Sequence, residues 1–217
     1  MSRLQGWALS LIEDIIAGGE AVTLNGAATH RAVYVARGAL RANGEAVAED
    51  SMWYGRGEAA FEAGAAGAAL WRWELRPADA APHLLENGAS RHKLTRPLAG
   101  PDADEVLLRG DSVAFPPGGC AYLHTHRGPG IRCLIEGGIR IDTDGRSTSY
   151  APGGAWFEAG PDPVFAQAAE VPSRFVRVMV LPAELKGKSS ISYVNADDLS
   201  KPKSQSYRGY LDTPIAL

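Results

Sequence analysis

The amino-acid sequence predicts an all-β protein built from two copies of one strand-rich unit. Two observations carry that expectation. After Gly19 the chain runs in short stretches of Val, Ala, Tyr, Trp and Leu, broken by turn dipeptides such as Asn43-Gly44, Pro117-Gly118 and Asp144-Gly145, the punctuation of a protein with many hairpins. The second observation is an internal repeat. AVYVARGALRANGEAVAEDSMWYG followed by AAFEAGAAGAALWRWEL in the first half is echoed by RCLIEGGIRIDTDGRSTSYAPGGAWFE followed by PVFAQAAEVPSRFVRVMVL in the second. Gly38 matches Gly137, Trp53 matches Trp156 and Phe61 matches Phe165. The offset grows because the second hairpin is longer, a change that a loop accommodates at little cost.

Taken in order, residues 1–19 read as a short amphipathic helix. Leu4, Trp7, Ala8, Leu11, Ile12, Ile15 and Ile16 recur at helical spacing, and Gly18 and Gly19 supply a stop. Residues 20–80 hold the first copy and residues 81–185 the second, with a Pro- and Ala-rich connector, RPADAAPHLLENGAS, where they meet. Residues 186–217 turn polar and read as a tail, either extended over the barrel or a neighbouring subunit, or loose in solvent.

The 217 residues suffice for two compact lobes, and 45% hydrophobic with 22% charged residues is ordinary for a globular protein. A net charge of −3 without a block of like charge gives no electrostatic footprint for nucleic acid. Glu13 and Asp14 interrupt the first apolar stretch, so no signal-peptide core is expected. No run reaches the roughly 18 apolar residues of a membrane span. The cytoplasm is the expected location, and Cys120 and Cys133 are not expected to form a disulfide.

Chemistry concentrates in the second copy, in SVAFPPGGCAYLHTHRGPGIRCLIEGGI. On a regular strand Tyr122, His124 and His126 share one face, so two imidazoles converge on one point. Neutral imidazole is the commonest nitrogen donor to catalytic metals. Further donors could come from Glu158, Gln167 or His92. Arg132 falls on the inward parity of the next strand, where a buried guanidinium needs an anion. That anion is either a substrate carboxylate or an inward Asp or Glu. Tyr122 is a candidate acid or hydrogen-bond donor, or a core aromatic. Trp53, Trp156, Phe61 and Phe165 recur in both copies and so read as core; Trp156 is also a candidate substrate-binding residue.

PPGGCAYLHTHRGPGIRCLIEG and APGGAWFEAGPDPVFAQA resemble the two conserved motifs of the cupin superfamily, and with the repeat the resemblance covers residues 25–182. It implies double-stranded β-helix barrels in two lobes, a bicupin whose first lobe is degenerate. It further implies a divalent metal on His124 and His126, with Fe(II) favoured and Zn, Ni or Mn as alternatives. Two family ligands are replaced: Gly130 stands where a Glu is usual, and Val164 where the second-motif His falls. The resemblance implies a metal-dependent dioxygenase acting on a small organic acid or diketone-like molecule, with Arg132 and Tyr122 assisting. The alternatives are a small-molecule-binding cupin that has lost its metal, and a structural homo-oligomer; a homodimer is expected.

Overall fold

The computed structural model describes residues 3–85, 89–99 and 104–217. It divides into two compact units, Met1–Leu98 and Ala99–Leu217. Among the described residues no helix is long and apolar enough to cross a membrane.

The first unit is one seven-stranded antiparallel sheet: β1 (Trp7–Ile16), β2 (Ala21–Leu24), β3 (His30–Ala42), β4 (Glu45–Val47), β5 (Met52–Arg56), β6 (Ala59–Pro77) and β7 (Ser90–Pro97). Its main path runs β4-β3-β6-β1-β7, with β2 on β6 and β5 on β3. The expected N-terminal helix is therefore a strand, preceded only by a four-residue 3-10 turn at Arg3–Gly6. The physical reason is that β1 lies inside the sheet, between β6 and β7, and every residue from Ala8 to Ile12 is buried. A strand covered on both faces is apolar without alternation, and a short run of that kind coincides with helical spacing. Asp14, which looks like a polar helix face, is fully buried against Arg72.

The second unit contains β8 (Glu105–Phe115), β9 (Cys120–His126), β10 (Gly130–Glu136), β11 (Ile139–Thr143), β12 (Arg146–Tyr150), β13 (Ala155–Glu158), β14 (Val164–Ala168), β15 (Ser173–Pro182), β16 (Ile191–Tyr193) and β17 (Ser206–Ala216). They form two five-stranded antiparallel sheets, β13-β10-β15-β8-β17 and β12-β11-β14-β9-β16. One core joins them: Val113, Phe115, Leu134, Trp156 and Phe175 from the first sheet, with Ile139, Ile141, Val164 and Ala166 from the second. The polar tail takes the extended form. It adds β16 to the edge of one sheet beside β9 and β17 to the edge of the other beside β8.

Local chemistry explains the turns. Asn43-Gly44 and Asp144-Gly145 have positive φ at both residues, as a two-residue hairpin turn requires, and they join β3 to β4 and β11 to β12. The repeated glycine is equally constrained. Gly38 and Gly137 have φ of 86° and 80°, and a Cβ there would lie 2.2 Å from the Gly67 carbonyl oxygen and 2.3 Å from that of Pro172. Both copies keep glycine because a neighbouring backbone occupies the space a side chain needs.

Candidate functional site

The inner faces of the second unit enclose a cavity of about 330 Å³. Strand register sorts its wall into two ends. Phe175 is opposite Val113, and Ala166 is opposite both Ala121 and Ile141, making an apolar end. One step along the strands, Arg177 is opposite Asp111, while His124 and His126 project from β9, making a polar end. The chain from Ser189 to Tyr207 closes the side between the sheets, contributing Ser190, Ile191, Tyr193, Lys203, Gln205 and Tyr207 to the wall.

Both histidines are buried, and their rings meet edge to face with centroids 4.9 Å apart. Tyr122 does not share their face. In the ladder between β9 and β14, Val164 pairs with His124 but Ala166 pairs with Ala121. Tyr122 and Leu123 thus oppose a single residue, Phe165. This β-bulge inserts one residue and reverses the parity, so Ala121, His124 and His126 line the cavity and Tyr122 does not. The Tyr122 ring instead packs beneath Lys201 and Lys203, 5.0 and 5.3 Å from its centroid. Its backbone still serves the site, because His124 Nδ1 donates to the Tyr122 carbonyl oxygen over 2.6 Å. That bond fixes the tautomer and leaves the Nε2 lone pair available.

His126 Nε2 lies 3.4 Å from Glu158 Oε2, and its Nδ1 is buried with no hydrogen-bond partner. Burial pushes both imidazoles below the ordinary histidine value. His126 falls furthest, because Arg132 and Arg177 add repulsion to desolvation. Both rings are neutral at pH 7, the form in which imidazole binds a cation.

Arg132 points inward, as its parity predicts, but reaches a protein carboxylate and does not line the cavity. Its side chain is fully buried, with Nη2 2.7 Å from Glu158 Oε2 and Nη1 donating to the Gly130 carbonyl oxygen over 2.7 Å. The contact with Glu158 is a charge contact without hydrogen-bond alignment, so Nε and Nη2 have no hydrogen-bond partner. Desolvation lowers Arg132 to about 10 while Glu158 opposes the shift, so it remains protonated at neutral pH. Trp156 also misses the cavity. It is 3% exposed, stacks on Tyr150, and its Nε1 donates to Glu158 Oε1 over 2.8 Å.

Glu158 is the residue that sequence reasoning undervalued. It lines the cavity and is the direct cross-strand partner of Gly130. A Cβ at Gly130 would meet the Val178 carbonyl oxygen at 2.6 Å and Met179 Cγ at 2.8 Å. The position where the resemblance expects a ligand Glu therefore has no room for a side chain, and the adjacent strand supplies a carboxylate in its place. The other candidate donors do not join the pair. Gln167 Nε2 donates to the Gly118 carbonyl oxygen, and His92, in β7 of the first unit, bonds Thr95 Oγ1. Among the described residues no group of three or more His, Cys, Asp or Glu side chains is arranged to hold a metal ion, and the carboxylate nearest the imidazoles is in contact with Arg132.

No family model matches the sequence, and none of the curated proteins does. Solved structures do. A serine-to-alanine mutant of Bacillus subtilis oxalate decarboxylase is 12% identical and superposes with a TM-score of 0.66, covering 89% of this chain and 73% of that one. A structure of the same enzyme from a study of its Mn(II) centres is 11% identical, with the same coverages and TM-score. A cupin 2 conserved barrel domain protein from Leptotrichia buccalis is 13% identical, with a TM-score of 0.49 over 81% of this chain and 84% of that one. The fold is all-β and of the cupin type, shared with the oxalate decarboxylase structures.

Proposed function

We propose that the second unit is a metal-dependent cupin enzyme acting on a small organic acid, with His124, His126 and Glu158 as its donor set. The observation that carries this reading is the placement of two neutral imidazoles beside one carboxylate at the polar end of the cavity. One pair of these donors has the spacing a divalent ion needs. Ligand atoms about 2.0–2.2 Å from one ion stand roughly 3.0–3.5 Å apart, and His126 Nε2 and Glu158 Oε2 are 3.4 Å apart. Beside them His126 Nδ1 is buried without a hydrogen-bond partner, while Glu158 Oε2 is held by the Arg132 guanidinium. Likeness to an enzyme described by its Mn(II) centres supports a divalent ion.

Such an ion would polarise a chelated oxygen or activate dioxygen. Two imidazoles and one carboxylate suit an Fe(II) oxygenase, the specific reaction we propose, with Mn(II) as the competing metal. The chain's own part is positional. The Tyr122 carbonyl holds the His124 ring, Arg132 and Trp156 hold Glu158, and the apolar wall excludes water.

A second reading rests on the guanidinium of Arg132, which occupies Glu158: a binding protein for small anions that uses no metal. Metal analysis after purification with divalent metals present separates the two. A stoichiometric ion in the wild type that disappears in His124→Ala/His126→Ala is expected, and equally negligible metal in both proteins would refute the enzyme reading.

A further inference from the structure

The histidine pair stands at an edge of the second unit and is covered by a segment that little holds in place. Apart from β16 and β17, the outermost strands on this side of the two sheets are β9, which carries His124 and His126, and β8, which carries Asp111 and Val113. Residues 189–204, SSISYVNADDLSKPKS, cross from one edge to the other and place Ser190, Ile191, Tyr193 and Lys203 on the cavity wall. Tyr193 and Ile191 are the ladder partners of His124 and His126. With the segment in place each imidazole is 5% exposed.

Both ends of the segment are fixed. On one side Leu185 is buried with Leu107, Met179 and Leu181, and Arg109 donates to the carbonyls of Leu185 and Lys188. On the other, Gln205 is buried and β17 pairs with β8 along its length. Between these anchors burial is slight: Ile191 and Tyr193 are half-buried, and Val194 and Leu199 are 48% and 69% exposed. The segment is tied to β9 by the three-residue β16, by bonds from the Arg127 amide to the Ser190 carbonyl and from the Val194 amide to the Leu123 carbonyl, and by Ser204 Oγ on the Cys120 backbone. Its side chains bond one another. Asp198 accepts from Asn195 Nδ2 and Lys201 Nζ, and Lys203 Nζ donates to the carbonyls of Asp198 and Lys201. A segment knitted to itself and lightly bound to its surroundings opens as one piece, at far lower cost than global unfolding.

We propose that residues 189–204 form a strap that swings away from β9 as a unit, and that this opening admits ligands to His124 and His126. The facing walls carry Val113, Phe115, Ile141, Ala166 and Phe175, which are core residues of the two sheets, so parting them would undo the fold. Parting the strap exposes the β9 edge alone. Strap opening then sets the rate of ligand exchange. The proposal concerns access, so it holds for whichever ligand the cavity takes and does not rest on the metal reading.

Two measurements on the full, chelator-treated chain test it. In hydrogen exchange of the unsubstituted protein, the amides of Arg127 and Val194 are expected to exchange at least about a hundredfold faster than those of Val176 and Val178 in β15, with little dependence on urea. The second measurement is acylation of His124 by diethyl pyrocarbonate, followed by peptide mass mapping. Val194→Pro removes the bond to Leu123, and Ser204→Ala removes the tie to Cys120; neither residue lines the cavity. Each should speed acylation of His124 about three- to tenfold and leave that of His92, exposed in the first unit, unchanged. Arg127 and Val194 amides that exchange only together with those of β15 would overturn the proposal, because the strap then opens only with the whole unit. A His124 rate that neither substitution changes would overturn it too, because a fixed mouth then admits the reagent.

Discussion

Replacing Arg132 by Met tests whether this arginine is a partner for Glu158 or a fork for substrate. The two charges are 2.7 Å apart, on side chains that are 0% and 10% exposed. Water cannot replace the lost cation at such a site. The cost should therefore resemble that of breaking a buried pair, about 3–5 kcal/mol, and not the 0–1 kcal/mol of a surface pair. For a unit of this size that is a drop of about 10–25 °C in Tm. Urea unfolding and thermal melts in chelator measure it. Arg132→Met/Glu158→Gln, which removes both charges, should recover part of the loss, with a coupling of about 1–3 kcal/mol. If the freed carboxylate joins the histidines around a cation, saturating Mn(II) should stabilise Arg132→Met more than the wild type; about 2.7 kcal/mol is expected at a hundred times Kd. A single variant within about 1 kcal/mol of wild type would refute the pairing, and equal Mn(II) stabilisation of the wild type and of Glu158→Gln would refute Glu158 as a donor.

Tyr122→Phe should leave ligand binding unchanged within twofold by calorimetry, because the bulge turns the phenol away from the cavity while the carbonyl that holds His124 is retained. In the first unit, burial alone would raise the Glu74 carboxyl, but Arg72, the His83 amide and Arg31 hold it below its usual value. The unfolded chain then binds the proton more readily, so this stability is present above about pH 4.5 and is lost as pH falls through the lower folded value. Glu74→Gln should cost about 3–5 kcal/mol at pH 7 and flatten the acid limb, read by urea melts followed through Trp71 and Trp73 fluorescence. Gly137→Ala should destabilise by about 1–3 kcal/mol, since φ is positive and Pro172 and Ser173 occupy the Cβ position; an unchanged urea midpoint would contradict that.

The parts of this fold legible in sequence were those that repeat or turn. Gly38 and Gly137 carry the repeat because backbone packs on both, and the Asn-Gly and Asp-Gly hairpins sit where their φ angles require them. What was not legible depends on tertiary partners. The segment from Leu4 to Ile16 has a spacing that a helix and a doubly covered strand share, and only its place between β6 and β7 decides. The bulge at Tyr122 has no sequence signal of its own, so strict alternation puts the wrong residue beside His124 and His126. Glu158 was visible as a carboxylate in the second motif. Its inward aim follows from pairing with Gly130, a contact 28 positions away in the chain that residue spacing does not reveal.

The two units place an arginine at the same point of their ladders and complete it differently. Arg72 lies opposite Val33 and Ile12, as Arg177 lies opposite Arg132 and Asp111. In the first unit Arg72 bonds Asp14, Glu74 and the His83 carbonyl, and Glu74 also takes Arg31. Among the described residues there, Arg76 Nε is the buried side-chain atom left without a partner. In the second unit Asp111 satisfies Arg177 and Arg132 meets Glu158 as an ion pair, while His126 Nδ1, Arg132 Nε and Gln205 Oε1 are buried without a hydrogen-bond partner. An unpaired buried group costs about 1–3 kcal/mol, and a fold carries several together where a ligand completes them. Ligand or metal binding should therefore protect amides of β9, β10 and β13 from hydrogen exchange and leave those of β3 and β6 unchanged. Protection appearing instead in β3 and β6 would place the working site in the first unit and overturn the assignment.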